Sequence, residues 1–221
     1  MGKEFEIKIV NPDINEFKKL LQRLDAKKVH PKYRMKRHVF HHPDKSVDGF
    51  IRLRRESETK NTLTCKIFNT PSKYPLEYEV ELKDSYEKAL EFLQKSGLLL
   101  KSYQETEREK WSHPLAKEIV FDTWPGIPEF IEIDCENEEN LKKLMQQLDV
   151  KKHNIRYDGV DSIYEELYKV PRREFNTIPH LTFNNYRDVL VGGGKKKRNT
   201  QKKRNTKKKS KRTNKSRKNK R

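Results

Sequence analysis

Seven stretches of this 221-residue chain alternate apolar with charged side chains, and that repetition narrows the folds open to it. Side chains two apart on a β-strand share a face. The first stretch, Glu4-Phe5-Glu6-Ile7-Lys8, puts Phe5 and Ile7 on one parity and Glu4, Glu6 and Lys8 on the other. Phe50 to Arg55 sets Arg52 and Arg54 against Ile51 and Leu53, and Leu63 to Phe68 puts Lys66 with Thr64. Glu77, Glu79 and Glu81 alternate with Tyr78, Val80 and Leu82. Arg108 and Lys110 share a parity in a long strand from Leu99 to Trp111. Asp122 stands opposite Ile119 and Phe121, and Glu132 and Asp134 stand opposite Ile131 and Ile133. One such strand alone reads as a sheet with a solvated face. Seven of them imply one apolar and one charged face common to the whole sheet.

The apolar face has partners available. Ile14, Phe17, Leu20, Leu21 and Leu24 recur at helical spacing, with Asn11 as the expected cap and Pro12 at the first helical position. Tyr86, Leu90, Phe92 and Leu93 predict a second helix ended by Gly97, and Leu141, Leu144, Met145 and Leu148 a third. A fourth covers Ser162 to Tyr168. Tyr33 to Phe40, with a noisier pattern, brings the strand-like segments to eight, a barrel-sized number. The fold class is therefore α+β. An open charged sheet with helices behind it fits this pattern, and a closed barrel lined by the charges also removes exposed edges.

Chemistry favours the closed version. Arginines and lysines match the charges of a polyphosphate as charge-assisted donors. Carboxylates are hard oxygen ligands suited to Mg2+ or Mn2+. A metal with Arg and Lys clamps stabilises the charge on a transferring phosphoryl group.

These residues resemble the CYTH superfamily, the triphosphate tunnel metalloenzymes. The resemblance rests on Glu4-Phe5-Glu6-Ile7-Lys8, Ile51-Arg52-Leu53-Arg54, Leu63-Thr64-Cys65-Lys66 and Glu107-Arg108-Glu109-Lys110-Trp111, then Ile119-Val120-Phe121-Asp122 and Phe130-Ile131-Glu132-Ile133-Asp134, and covers residues 1 to about 170. It implies an eight-stranded antiparallel tunnel with helices outside. It implies a catalytic core of Glu4, Glu6 and Lys8. Divalent metal would bind Glu4, Glu6, Glu132 and Asp134, assisted by Asp122. The triphosphate would be held by Lys8, Arg52, Arg54, Lys66, Arg108 and Lys110, with Glu79 also lining the tunnel. Asp134 departs from the family, which usually shows Glu there. The helix at Ser162 looks like the one that closes a tunnel mouth in relatives, bringing Lys169, Arg172 or Arg173 within reach of substrate.

Composition divides the chain. Residues 195–221 hold 17 Lys and Arg and no acid; taking these from the net charge of +18 leaves +1 for residues 1–194. The expected layout is a tunnel domain over 1–191, then a Gly192-Gly193-Gly194 joint and a disordered basic tail over 192–221. Such a tail suits non-specific contact with nucleic-acid phosphates and resembles a nuclear or nucleolar targeting signal. Cys65 and Cys135 have no paired or metal-binding spacing and read as buried reduced thiols. With no apolar run long enough to span a membrane and no secretory signal, the expectation is an intracellular protein, cytoplasmic or nuclear.

The expected function is a divalent-metal-dependent hydrolase of a triphosphate. Inorganic triphosphate, thiamine triphosphate, a nucleoside triphosphate and an RNA 5′ end are all admissible substrates. One alternative is an adenylate cyclase of the class IV type, which needs an adenine pocket for which no motif is evident. The other is a non-catalytic polyphosphate- or RNA-binding module.

Overall fold

In the computed structural model the described residues are 2–69, 71 and 74–191. The segment 192–221, expected to be joint and tail, lies outside them. In chain order the elements are β1 (Gly2–Lys3), β2 (Phe5–Val10), α1 (Ile14–Arg23), β3 (Lys27–His41), β4 (Gly49–Arg55), β5 (Asn61–Ile67) and β6 (Leu76–Leu82). Next come α2 (Tyr86–Lys95), β7 (Leu100–His113), β8 (Ala116–Thr123), β9 (Phe130–Cys135), α3 (Glu138–Gln147) and a 3-10 turn (Val150–Lys152). The chain then runs through β10 (Asn154–Arg156), α4 (Asp161–Tyr168), α5 (Arg172–Phe175), β11 (His180–Leu181) and α6 (Tyr186–Leu190).

The sheet runs in the order β1-β6-β5-β4-β3-β7-β8-β9-β2-β10, with β11 alongside β7. All pairs along that path are antiparallel. β1 and β2 are two halves of one N-terminal stretch broken at Glu4. The first half pairs with β6 and the second with β9, so this stretch joins the two ends of the curled sheet. The amide of Glu4 donates to the Pro75 carbonyl at 3.1 Å, on the β6 side of the junction. Eight strands thus make the tunnel fold expected from sequence, with β10 and β11 added to it.

The helices lie outside, where period-2 alternation turns the apolar parity. Phe17 and Leu21 of α1 and Leu141 and Leu144 of α3 pack on Ile7, Ile9, Ile119, Phe121, Ile131 and Ile133. Tyr86 and Leu93 of α2 pack on Phe40 and Leu53. Ile163 and Tyr164 of α4 join Val10, Trp124, Phe130, Phe175, Leu181 and Leu190 in a third cluster. There the Tyr164 hydroxyl donates to the Pro125 carbonyl at 2.7 Å and that of Tyr168 to the Gly126 carbonyl at 2.5 Å. Gly126 has φ +83, and a Cβ on it would collide with Tyr168 and Tyr186. This turn therefore admits only glycine.

Three expectations need correction. Asn11 does not cap α1: it sits at φ 54, turning the chain out of β2, and the Asp13 carboxylate accepts from the Glu16 amide instead. The apolar parity of β6 is only partly covered: α2 packs on Leu82, while Tyr78 is 42% and Val80 52% exposed. Cys65, on neighbouring β5, is only half-buried, whereas Cys135 is buried; both are free thiols. No helix among the described residues is long and apolar enough to cross a membrane.

Candidate active-site tunnel

The charged parity faces a cavity of about 980 Å³. The cavity is lined by Glu4, Glu6 and Lys8 from the N-terminal stretch, Arg52 and Arg54 from β4, Lys66 from β5 and Glu79 from β6. Arg108 and Lys110 from β7, Asp122 from β8, and Glu132 and Asp134 from β9 complete the set read from sequence. Glu81 does not line it and is exposed.

Strand register decides which charges meet. Glu6 stands beside Asp134 and Lys8 beside Glu132 across the β2–β9 ladder, and Arg108 beside Asp122 across β7–β8. Arg108 makes a two-pronged bond to Asp122, Nε to Oδ1 and Nη2 to Oδ2, each 2.7 Å. It also reaches Glu132 at 3.1 Å and Glu118 at 3.3 Å. The Lys8 ammonium pairs with Glu6 and with Glu132 at 3.3 Å. Lys66 pairs with Glu4 and with Glu77 at 3.5 Å, and Lys110 with Glu118 at 2.5 Å. Arg52 and Arg54 share Glu79, at 3.4 and 3.3 Å, and Thr64 donates to the same carboxylate at 2.6 Å. Arg54 also pairs with Glu56.

Burial and crowding separate the acids. Burial, with the Glu6 charge beside it, raises the pKa of Glu4. Burial likewise raises Glu132, and pushes Asp134 up to about 7 against the attraction of Lys117, 3.6 Å away. Glu6 goes the other way: burial alone would raise it, but Lys8 and Lys66 outweigh that and hold it ionised. Glu56 is depressed to about 2, burial being overcome by Arg54 and Lys60. An interior this rich in ion pairs is a weak source of stability, because desolvation offsets the Coulomb gain. Its retention inside a cavity is better accounted for by a charged ligand.

The donor set suits a hard divalent cation. The acids supply oxygen ligands alone, and Oδ1 of Asp134 is buried without a hydrogen-bond partner. Among the described residues, however, no three acidic, His or Cys side chains converge on one point, because lysines and arginines occupy them.

Sequence reasoning passed over several lining residues, among them Glu118, Glu56, Lys60 and Arg37. Glu118 shares the parity of Asp122 and was readable from it. Glu56 and Lys60 lie just beyond β4 and before β5, outside any periodic stretch. Arg37 hides in β3, where Phe40 is buried on one parity and Met35 and Val39 on the other, so period 2 carries no signal. Of the three basic residues proposed to reach in from the closing helix, Arg172 lines the cavity, and it is paired with Asp158 and Glu165.

Comparison with known proteins agrees with this geometry. The PH1819 protein of Pyrococcus horikoshii OT3 is 22% identical, with a TM-score of 0.57 over 74% of this chain and 98% of that one. A proposed adenylate cyclase from Vibrio parahaemolyticus is 14% identical, with a TM-score of 0.58 over 70% and 94%. HpAC1 from Hippeastrum, described as having a dominant triphosphatase activity, is 17% identical, with a TM-score of 0.50 over 72% and 91%. These likenesses show the fold. No curated protein matches the chain. The CYTH domain model matches residues 2–163, and with the tunnel and its charged lining in place, the chain belongs to the CYTH family, whose members are enzymes that act on triphosphates and in general depend on divalent metals.

Proposed function

We propose that this protein hydrolyses a triphosphate in a reaction that depends on Mg2+ or Mn2+. The carrying observation is that one cavity joins a crowded set of carboxylates, Glu4, Glu6, Glu132 and Asp134, to the guanidinium groups of Arg52, Arg54 and Arg108. Mere anion binding has no use for those acids. A bound divalent ion, held by Glu4, Glu6, Glu132 and Asp134 with Asp122 nearby, would relieve their repulsion and neutralise charge on the phosphates. Lys8, Arg52, Arg54, Lys66, Arg108 and Lys110 would then exchange carboxylate partners for phosphate oxygens. The planar forks of Arg52 and Arg54 orient the chain of phosphates, and the lysines act as point charges. As charge grows on the departing phosphate, these fixed donors stabilise it without reorganisation. The triphosphatase activity described for HpAC1 supports the same reading.

A panel of inorganic triphosphate, thiamine triphosphate, nucleoside triphosphates and 5′-triphosphorylated RNA, with Mg2+ or Mn2+, tests it. Release of phosphate from at least one is expected. Formation of cyclic AMP with pyrophosphate would replace the hydrolase by a cyclase, and binding without turnover would leave only a polyphosphate receptor.

A further inference from the structure

Each basic residue assigned above to the triphosphate already has a carboxylate partner. Arg37 does not. It stands on β3 between Arg54 of β4 and Gln104 of β7, lines the cavity and is 8% exposed. Among the described residues no carboxylate lies within ion-pair distance of it, and its Nε and Nη2 are buried without a hydrogen-bond partner. The Trp124 ring lies under the guanidinium, 3.9 Å from its carbon to the ring centroid. Burial, together with the like charges of Arg52, Arg54 and Arg108, disfavours its charged form; the nearby Asp122 carboxylate opposes this only in part and is itself bound two-pronged by Arg108. Yet a guanidinium does not give up its proton in a protein. The cation–π contact returns only part of what desolvation costs. The charge is therefore left to be met by something outside the chain.

Topology says where that something lies. Going round the sheet from β2 through β9, β8 and β7, β3 is four strands away; from β1 through β6, β5 and β4 it is also four. Arg37 thus looks into the cavity from the wall farthest from the Glu4-Glu6-Lys8 strand. We propose that Arg37 is an anion receptor that binds the phosphate chain from that wall, its plane set by Trp124. This deepens the triphosphate reading and rests on it for the identity of the anion.

Arg37→Gln and Arg37→Lys test it by thermal unfolding titrated with inorganic tripolyphosphate in EDTA, where no turnover occurs. Without ligand, Arg37→Gln should unfold no lower than wild type, since an uncompensated buried charge has been removed. Half-saturation by tripolyphosphate should need about tenfold more ligand or worse, the usual effect of losing a charged hydrogen bond. Arg37→Lys, which keeps the charge but not the fork, should fall between. Wild-type affinity in Arg37→Gln overturns the proposal. So does a clear loss of ligand-free stability, or failure of both variants to fold, since either makes Arg37 a structural prop on Trp124. If wild type binds tripolyphosphate and Arg37→Gln does not, but wild type hydrolyses nothing, the hydrolase reading falls and the receptor stands.

Discussion

The tunnel has two kinds of wall. β2, β8 and β9 carry α1 and α3 on their outer face, and the apolar side chains between are buried. β5 and β6 are covered only where α2 meets Leu63 and Leu82: Tyr78 and Val80 are exposed, and Cys65 is half-buried. The sequence pattern is the same on both, yet the acids inside behave differently. On the backed wall burial pushes up Glu132 and Asp134, while Lys8 and Lys66 hold Glu6 down and Arg108 and Lys110 hold Glu118 down. Glu77, on the bare wall, is drawn down, because Arg52, Lys66 and Arg54 outweigh its burial. Acids that crowd one another have something to gain from a divalent cation. Acids set among arginines serve as counter-ions until an anionic substrate displaces them.

The strongest challenge to that contrast is catalytic. Glu6→Gln should lower metal-dependent turnover by about a hundredfold or more with an unchanged far-UV CD spectrum. Glu79→Gln, on the bare wall, should act mainly on KM. Equal losses in the two would dissolve the division of labour. The next largest effect is on packing: in urea unfolding, Ile133→Ala should cost about 2–5 kcal/mol and Val80→Ala no more than about 0.5 kcal/mol. A large cost at Val80 would mean that its face is covered in solution.

A smaller effect concerns charge on the backed wall. With a folded pKa of about 7 against an ordinary value near 4, Asp134 holds its proton longer in the folded protein than in the unfolded chain. Its contribution is therefore fully present below about pH 4 and is lost as pH rises through about 7. In EDTA, Asp134→Asn should stabilise the protein by about 1–2 kcal/mol at pH 8 and flatten the decline between pH 4 and 7. Thermal melts across that range, with an unchanged slope in the variant, would remove Asp134 from the crowded set.

Much of this was legible in advance because it is local. Alternation exposed the inward parity of seven strands, and helical spacing exposed α1 to α4. Gly97, at φ 90, ends α2 as its sequence position demands. The caps were less clear: at Asn11-Pro12-Asp13 two side chains compete, and only the backbone angles show that Asp13 won. β10 and β11, of three and two residues, are too short to carry a period.

By itself the sequence determined most of the charged residues that face the tunnel, since strand parity follows from a two-residue repeat that needs no partner; it misplaced Glu81 and gave no sign of Arg37. Only the tertiary structure decided which charge meets which. The pairing of Lys8 with Glu132, of Arg108 with Asp122 and of Lys66 with Glu4 depends on register and on the N-terminal stretch joining the sheet's two ends. Arg37 shows the same limit from the other side. Its type is written in the sequence, but its lack of a carboxylate partner among the described residues is a property of everything packed around it.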